Sequence, residues 1–178
     1  MDKIYVGFDP GKSGAMAMLY PDGHVEIIGF PIIGKEYDLQ EFQKIFLTMK
    51  NDTENQYHII IEDVKALQGA MKAGNWSLSR GKTILEVMAA CFYIPYTLVH
   101  SKTWQKEMWQ GVPVQLLPTK TASGRKKTDT KAMSLIAAKR LFPNVDLRDP
   151  NRKTERAEKI HDGAVDAVLL AEYGRRKF

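Results

Sequence analysis

A chain of 178 residues with 44% hydrophobic and 26% charged side chains is long enough for one domain with a real core, residues 1–178, and differs from a disordered polymer. No window approaches about 18 uninterrupted apolar residues, which excludes a spanning helix, so no membrane partner is expected. The net charge of +5 gathers in the second half: Lys120, Arg125, Lys126, Lys127 and Lys131 stand against one acid, Asp129, and Arg175-Arg176-Lys177 lie at the end. Such clusters suit a polyanion such as a nucleic-acid backbone, and equally a solvated basic loop.

Met1-Asp2-Lys3-Ile4-Tyr5-Val6 runs straight into a strand pattern without a signal-peptide core, so the cytoplasm is expected, or an organelle after removal of a transit peptide. Lys3 to Phe8 alternates and stops at Asp9-Pro10-Gly11, leaving a carboxylate at a strand's end. Gly14 to Tyr20 and His24 to Phe30 read as two further strands about the turn Pro21-Asp22-Gly23, an antiparallel meander. Leu39 to Met49 has helical apolar spacing, and Tyr57 to Ile61 is a β-branched run that ends at Glu62. Ser77 to Tyr93 reads as a long apolar helix, Tyr96 to Val99 as a fifth strand and Ser101 to Trp109 as a short helix. Gln110 to Lys127, with two prolines and two glycines, reads as a mobile surface loop, and Thr128 to Phe142 as a helix. Pro143 to Lys159 shows no periodicity, and a last helix runs from His161 or Asp162 to about Tyr173. The single cysteine, Cys91, is expected as buried filler in a reducing compartment. Three antiparallel strands before a parallel-type crossover predict an α/β fold with a mixed central sheet and helices on its faces.

Asp9, Glu62, and the pair Asp162 and Asp166 put acids on three separate elements. Positions i and i+4 share a helix face, so Asp162 and Asp166 project together along a stripe that continues to Leu169 and Leu170. Burying like charges unpaired raises their pKa values or costs several kcal/mol unless a cation joins them. Mg2+ is the natural cation, because it prefers carboxylate and water oxygens and serves phosphodiester cleavage as a pair of ions. Each acid also has an ordinary reading: Asp9 as a turn residue, Glu62 as a solvated strand end, Asp162 as a helix N-cap. Asp166, within Ala164-Val165-Asp166-Ala167-Val168-Leu169, resists such a reading best. His161 is either a ligand or proton-transfer group, or a polar residue at a helix start.

Ile4-Tyr5-Val6-Gly7-Phe8-Asp9-Pro10-Gly11 with Ser13-Gly14-Ala15, then Ile59-Ile60-Ile61-Glu62, then His161-Asp162-Gly163-Ala164-Val165-Asp166-Ala167 resemble the RuvC-type Holliday junction resolvases in the same order. The similarity spans nearly the whole chain, including Asn75 to Val87, and the segment from Lys159 to Gly174 is most similar to phage and plant-organellar members. The resemblance implies an RNase H-like fold, a five-stranded mixed sheet, a homodimer, and two-metal hydrolysis that nicks four-way junction DNA symmetrically. It implies Mg2+ as cofactor, with Mn2+ expected to substitute. Asp9, Glu62 and Asp166 match the family's metal-binding, catalytic acids, and Asp162 or His161 fills the fourth place. The bacterial enzymes space their last two acids three apart, whereas here they are four apart and Gly163 stands three before Asp166. The aromatic that bacterial members insert at the junction centre is missing after Glu62, where Trp76, Met71 or Leu67 could replace it.

Lys102, Lys120, Arg125, Lys127 and Lys131 are the expected DNA contacts, and a lysine near the scissile phosphate would stabilise developing charge. The helix Ser77 to Tyr93 has more apolar surface than one side needs, which suggests Leu78, Leu85 and Met88 as a subunit interface, with core packing as the alternative. Three other readings remain: a nuclease of RNA–DNA hybrids or other branched DNA, a non-catalytic DNA-binding module, and a lobe of an actin-like phosphotransferase. The first phosphate loop of the last also carries Asp-Pro-Gly-x-x-Gly, but such proteins need two lobes and 178 residues accommodate one.

Overall fold

The computed structural model describes residues 1–63, 73–120, 126–151 and 159–178, with 73–75 and 119–120 in backbone only. β1 (Asp2–Phe8), β2 (Ala15–Leu19) and β3 (Val25–Gly29) form the predicted meander. The turn between β2 and β3 closes with Gly23 at φ 86°, and its amide donates to the Tyr20 carbonyl at 3.0 Å. A two-residue pair, β4 (Ile32–Ile33) and β5 (Glu36–Tyr37), leads into α1 (Leu39–Asn51), whose N-cap Asp38 accepts from the Glu41 amide at 3.0 Å. Then follow β6 (Asn55–Glu62), α2 (Ala73–Cys91), β7 (Tyr96–Val99) and α3 (Ser101–Met108). β8 (Leu116–Lys120), β9 (Lys126–Thr128), α4 (Thr130–Leu141) and α5 (Asp162–Lys177) complete the order.

The main sheet runs β3-β2-β1-β6-β7, with β2 antiparallel to both neighbours and β6 and β7 parallel to β1. Its period-2 alternation sorts side chains between two cores. Ile4, Val6, Phe8, Ile59 and Ile61 face Phe42 and Phe46 of α1 and Leu85 and Ala89 of α2. On the other face Ile60, Ala15 and Ala17 meet Trp104 and Met108 of α3, Met133 and Ala137 of α4, and Val165, Val168 and Leu169 of α5. α5 lies against β1 so closely that a Cβ on Gly7 would meet the Ala167 carbonyl oxygen at 2.0 Å and the Ala171 nitrogen at 2.5 Å.

Several expectations change. The segment Gln110 to Lys127 is not wholly loop: β8 and β9 pair antiparallel as a ribbon, Leu116 opposite Thr128 and Lys120 opposite Lys126. Pro118 and the lysines hide this pattern, since both are usual in edge strands and poor in strand signal. Cys91 is exposed at the outer end of α2. Leu85 is fully buried in the chain's own core and so offers no subunit contact as expected, whereas Leu78 and Met88 are half-buried. The outward side of α2 is instead Trp76, Arg80, Thr83, Val87 and Ala90. Arg175 and Arg176 both clasp the buried Glu172 at 2.7 Å, and Lys177 pairs with Glu107 of α3 at 2.9 Å. The Glu172 pairs lie within α5 itself, while Lys177 joins the end of α5 to α3, so all three cations already hold a carboxylate.

Replacing Gly7 by alanine is expected to force α5 off β1, costing about 3 kcal/mol by overpacking and lowering the thermal midpoint by roughly 5–10 °C. Circular dichroism melting checks this, and an unchanged midpoint would contradict the described packing.

Candidate active site

Strand alternation carries Gly7 and Asp9 to the face that α5 covers, and likewise Ile60 and Glu62. β1 and β6 run in parallel register with Phe8 opposite Ile61, so the next residue on each is Asp9 and Glu62. α5 supplies the third acid from above. Its first turn rests on the loop after β1, where a Cβ on Gly163 would meet the Gly14 Cα and the Ser13 carbonyl oxygen at 2.8 Å and Asp9 Oδ2 at 3.0 Å. Gly163 thus has a physical reason: a carboxylate-bearing residue three before Asp166 has no room, and the acid at that end of the helix moves one residue back, to Asp162.

Asp9 is only partly open to solvent, and burial, then repulsion from Asp166, Glu62 and Asp162, pushes its carboxyl well above the usual carboxylate range. Burial, then repulsion from Glu62, raises Asp166 to about 7, although a hydrogen bond from Ser134 and the charge of Lys131 pull the other way. Glu62 Oε1 accepts the indole N–H of the fully buried Trp104 at 3.4 Å. Asp162 does not share the buried stripe as expected, because its side chain is 56% exposed and ion-paired with Lys131 of α4. The N-cap of α5 is His161 rather than Asp162, and its Nδ1 accepts the Ala164 amide at 3.1 Å. That bond leaves only Nε2 for any other role.

The expected nucleic-acid contacts distribute unevenly. Lys131 sits at the acids, Lys102 is exposed at the start of α3, and Lys127 is exposed on β9, which leads into α4. Lys120 ends β8, its side chain undescribed, and Arg125, Leu67 and Met71 lie outside the described residues. Trp76 is 59% exposed on α2. A cleft lined by Gln105, Thr130, Lys131, Ser134, Asp162, Val165 and Asp166 opens beside the acids. A larger cavity of about 510 Å³, lined by Lys3, Lys50, Tyr57 and Tyr93 among others, lies at the opposite ends of β1 and β6 and contains none of them. The acids thus lie beside a small cleft and away from the larger cavity. Ser134, Gln105 and Trp104 escaped the sequence reading because a polar or aromatic residue in an amphipathic helix gives no signal beyond packing.

Part-buried carboxylates whose charges repel fit a divalent cation, whose charge would remove the repulsion. Among the described residues no three His, Cys, Asp or Glu side chains are grouped so as to hold a metal ion as they stand. Asp162, drawn to Lys131, stands outside such a group, while Asp9, Glu62 and Asp166 are the residues that would hold an ion.

No protein family and no curated protein matches the chain by sequence. Its fold is similar to that of Thermus thermophilus RuvC: one structure superposes with a TM-score of 0.54 at 11% identity, covering 97% of this chain and 95% of that one. A second, T. thermophilus RuvC in complex with Holliday junction substrate, gives a TM-score of 0.50 at 9% identity over 98% and 95%. The mixed sheet and its five flanking helices are those of the RNase H-like α/β fold, as expected.

The raised Asp166 fixes a pH dependence. A carboxyl whose folded pKa, about 7, exceeds its ordinary value of 3.8 binds more protons folded than unfolded between the two. Its favourable contribution is present below that window and is lost as pH rises through it. With EDTA present, Asp166→Asn is therefore expected to stabilise the protein by about 1–2 kcal/mol near neutral pH, with the gain vanishing toward about pH 4. Melting curves of both proteins across that range check it.

Proposed function

We propose that the chain is a divalent-metal-dependent nuclease, one domain over residues 1–178, that resolves four-way DNA junctions as a homodimer. The observation that carries this reading is the placement of Asp9 and Glu62 at the ends of two adjacent parallel strands and of Asp166 on the covering helix, with the carboxyls of Asp9 and Asp166 both pushed above the usual range. Mg2+ ions held there, or Mn2+ in their place, would activate a water and stabilise the leaving oxygen of a phosphodiester. Asp162 is the fourth acid of the site, set at its rim, and His161 orients the helix start.

The rest of the chemistry belongs to the protein's own side chains. Lys131, 74% exposed, has the reach to exchange Asp162 for a phosphate, bringing positive charge to the edge of the site. Lys102, Lys120, Arg125 and Lys127 supply contacts to the DNA backbone that fix its register without reading sequence. The likeness to a protein solved with a Holliday junction supports this substrate over a small phosphoester. Two symmetric cuts need two sites related by a twofold axis, and the outward stripe of α2, with Trp76 and Val87 exposed, is the surface that would meet a second copy.

A labelled four-way junction, a matching duplex and an RNA–DNA hybrid, incubated with Mg2+ or EDTA, test the reading. Paired nicks in the junction are expected, absent with EDTA and reduced by about 100-fold or more in Asp9→Asn and Asp166→Asn. Cleavage of the hybrid alone would move the enzyme to hybrid substrates, and no cleavage of any substrate would leave a DNA-binding module. Lys127→Ala is expected to weaken junction binding and lower the slope of log K against log salt by about 1, measured by fluorescence anisotropy over a salt series.

A further inference from the structure

Behind the acids stand two indoles that the proposed reaction does not use, one bonded to Glu62 and the other to Ser134. Trp104, on α3, is fully buried and aims Nε1 at Glu62 Oε1, 3.4 Å away. Trp109, the C-cap of the same helix, donates Nε1 to Ser134 Oγ at 3.3 Å. Ser134 is itself only 3% exposed, lines the same cleft as Asp166 and draws the Asp166 carboxyl toward its ionised form. An indole nitrogen only donates, and a hydroxyl that accepts one hydrogen bond has its own proton free to give. The donors therefore run from Trp109 to Ser134, whose proton is free for the neighbouring Asp166 carboxylate, and in parallel from Trp104 to Glu62.

We infer that Trp104, Trp109 and Ser134 are positioning residues that hold Glu62 and Asp166 in a cation-binding arrangement, a role that rests on the reading of these acids as a metal site. The two acids repel each other, and neither is paired with a lysine or arginine side chain within ion-pair distance among the described residues. Neutral donors suit this task. A cationic partner would compete with the metal for the carboxylate, whereas an indole or hydroxyl N–H or O–H fixes one oxygen and leaves the other with its charge. Trp104 occupies Oε1 of Glu62 and leaves Oε2 to the site. α3 also lies between both acid-bearing elements: Trp104 reaches the end of β6, while Trp109 acts through α4 on α5. One short helix therefore sets the relation between an acid on the sheet and an acid on the covering helix.

Ser134→Ala removes the hydroxyl at almost no change of volume, Ser134→Thr restores it, and Trp104→Phe removes the N–H while keeping an aromatic ring. Mn2+ binding to each full-length protein is measured by isothermal titration calorimetry, alongside the melting temperature in EDTA. The expected result is a Kd for Mn2+ raised roughly 10–100-fold in Ser134→Ala and Trp104→Phe, with Ser134→Ala melting near the wild-type temperature and Ser134→Thr recovering much of the affinity. A merely structural role would lower the melting temperature and leave the Kd of the folded protein unchanged. If wild type binds Mn2+ and Ser134→Ala binds it within about twofold, the positioning role is overturned while the metal site stands. If wild type itself binds no Mn2+, the metal site falls and the positioning role with it.

Discussion

The approach of α5 to the sheet governs everything else in this molecule. Gly7 on β1 and Gly163 at the head of α5 remove the side chains that would hold the two elements apart, so helix backbone lies on strand backbone. Ile60, Val168 and Leu169 then fill the space on the α5 side, and the ion pair of Lys177 with Glu107 of α3 ties down the far end. Packing along the length of the helix therefore sets where Asp166 stands relative to the strand ends that carry Asp9 and Glu62. A core that relaxed would shift Asp166 relative to both.

That closeness has an electrostatic cost that the fold does not relieve by itself. Asp9 and Asp166 are both driven toward their protonated forms by burial first, and second by a neighbouring carboxylate, Asp166 for Asp9 and Glu62 for Asp166. The cations nearby are peripheral: Lys131 answers Asp162 at the rim, and Lys82 answers Asp63 and Glu86 below. Folding has gathered negative charge at the ends of two parallel strands and left positive charge around it. On the proposed function, a divalent ion would relieve this cluster, and the surrounding lysines would match a phosphate backbone that brings its own charge.

Most of the fold was legible because its signals are local. The alternation of Lys3 to Phe8, the turn at Pro21-Asp22-Gly23 and the β-branched run before Glu62 predict the strands that carry the acids, and the sheet has them in that order. Helix ends were read less well: α2 begins at Ala73 and not Ser77, and α5 runs on to Lys177, because Arg175-Arg176-Lys177 reads as a solvated tail until Glu172 is seen beneath it. Burial from the other side of a helix was not legible either. Leu85 and Leu78 look alike in sequence, yet only the former is swallowed by the core formed with α1. Among candidate site residues, Asp9, Glu62 and Asp166 stand out in the sequence because an acid amid apolar residues needs a reason. Ser134 and Trp104 were not, since their partners are distant in sequence and nothing in α3 or α4 marks the faces that meet the acids.

The most direct test of the claim that these acids form a cation site is a crystal structure of the protein grown or soaked with Mn2+, phased to show its anomalous signal. The account requires an anomalous peak bounded by Asp9, Glu62 and Asp166. A well-ordered site with the three carboxylates hydrogen-bonded to one another through shared protons, and Mn2+ bound elsewhere or nowhere, would contradict it.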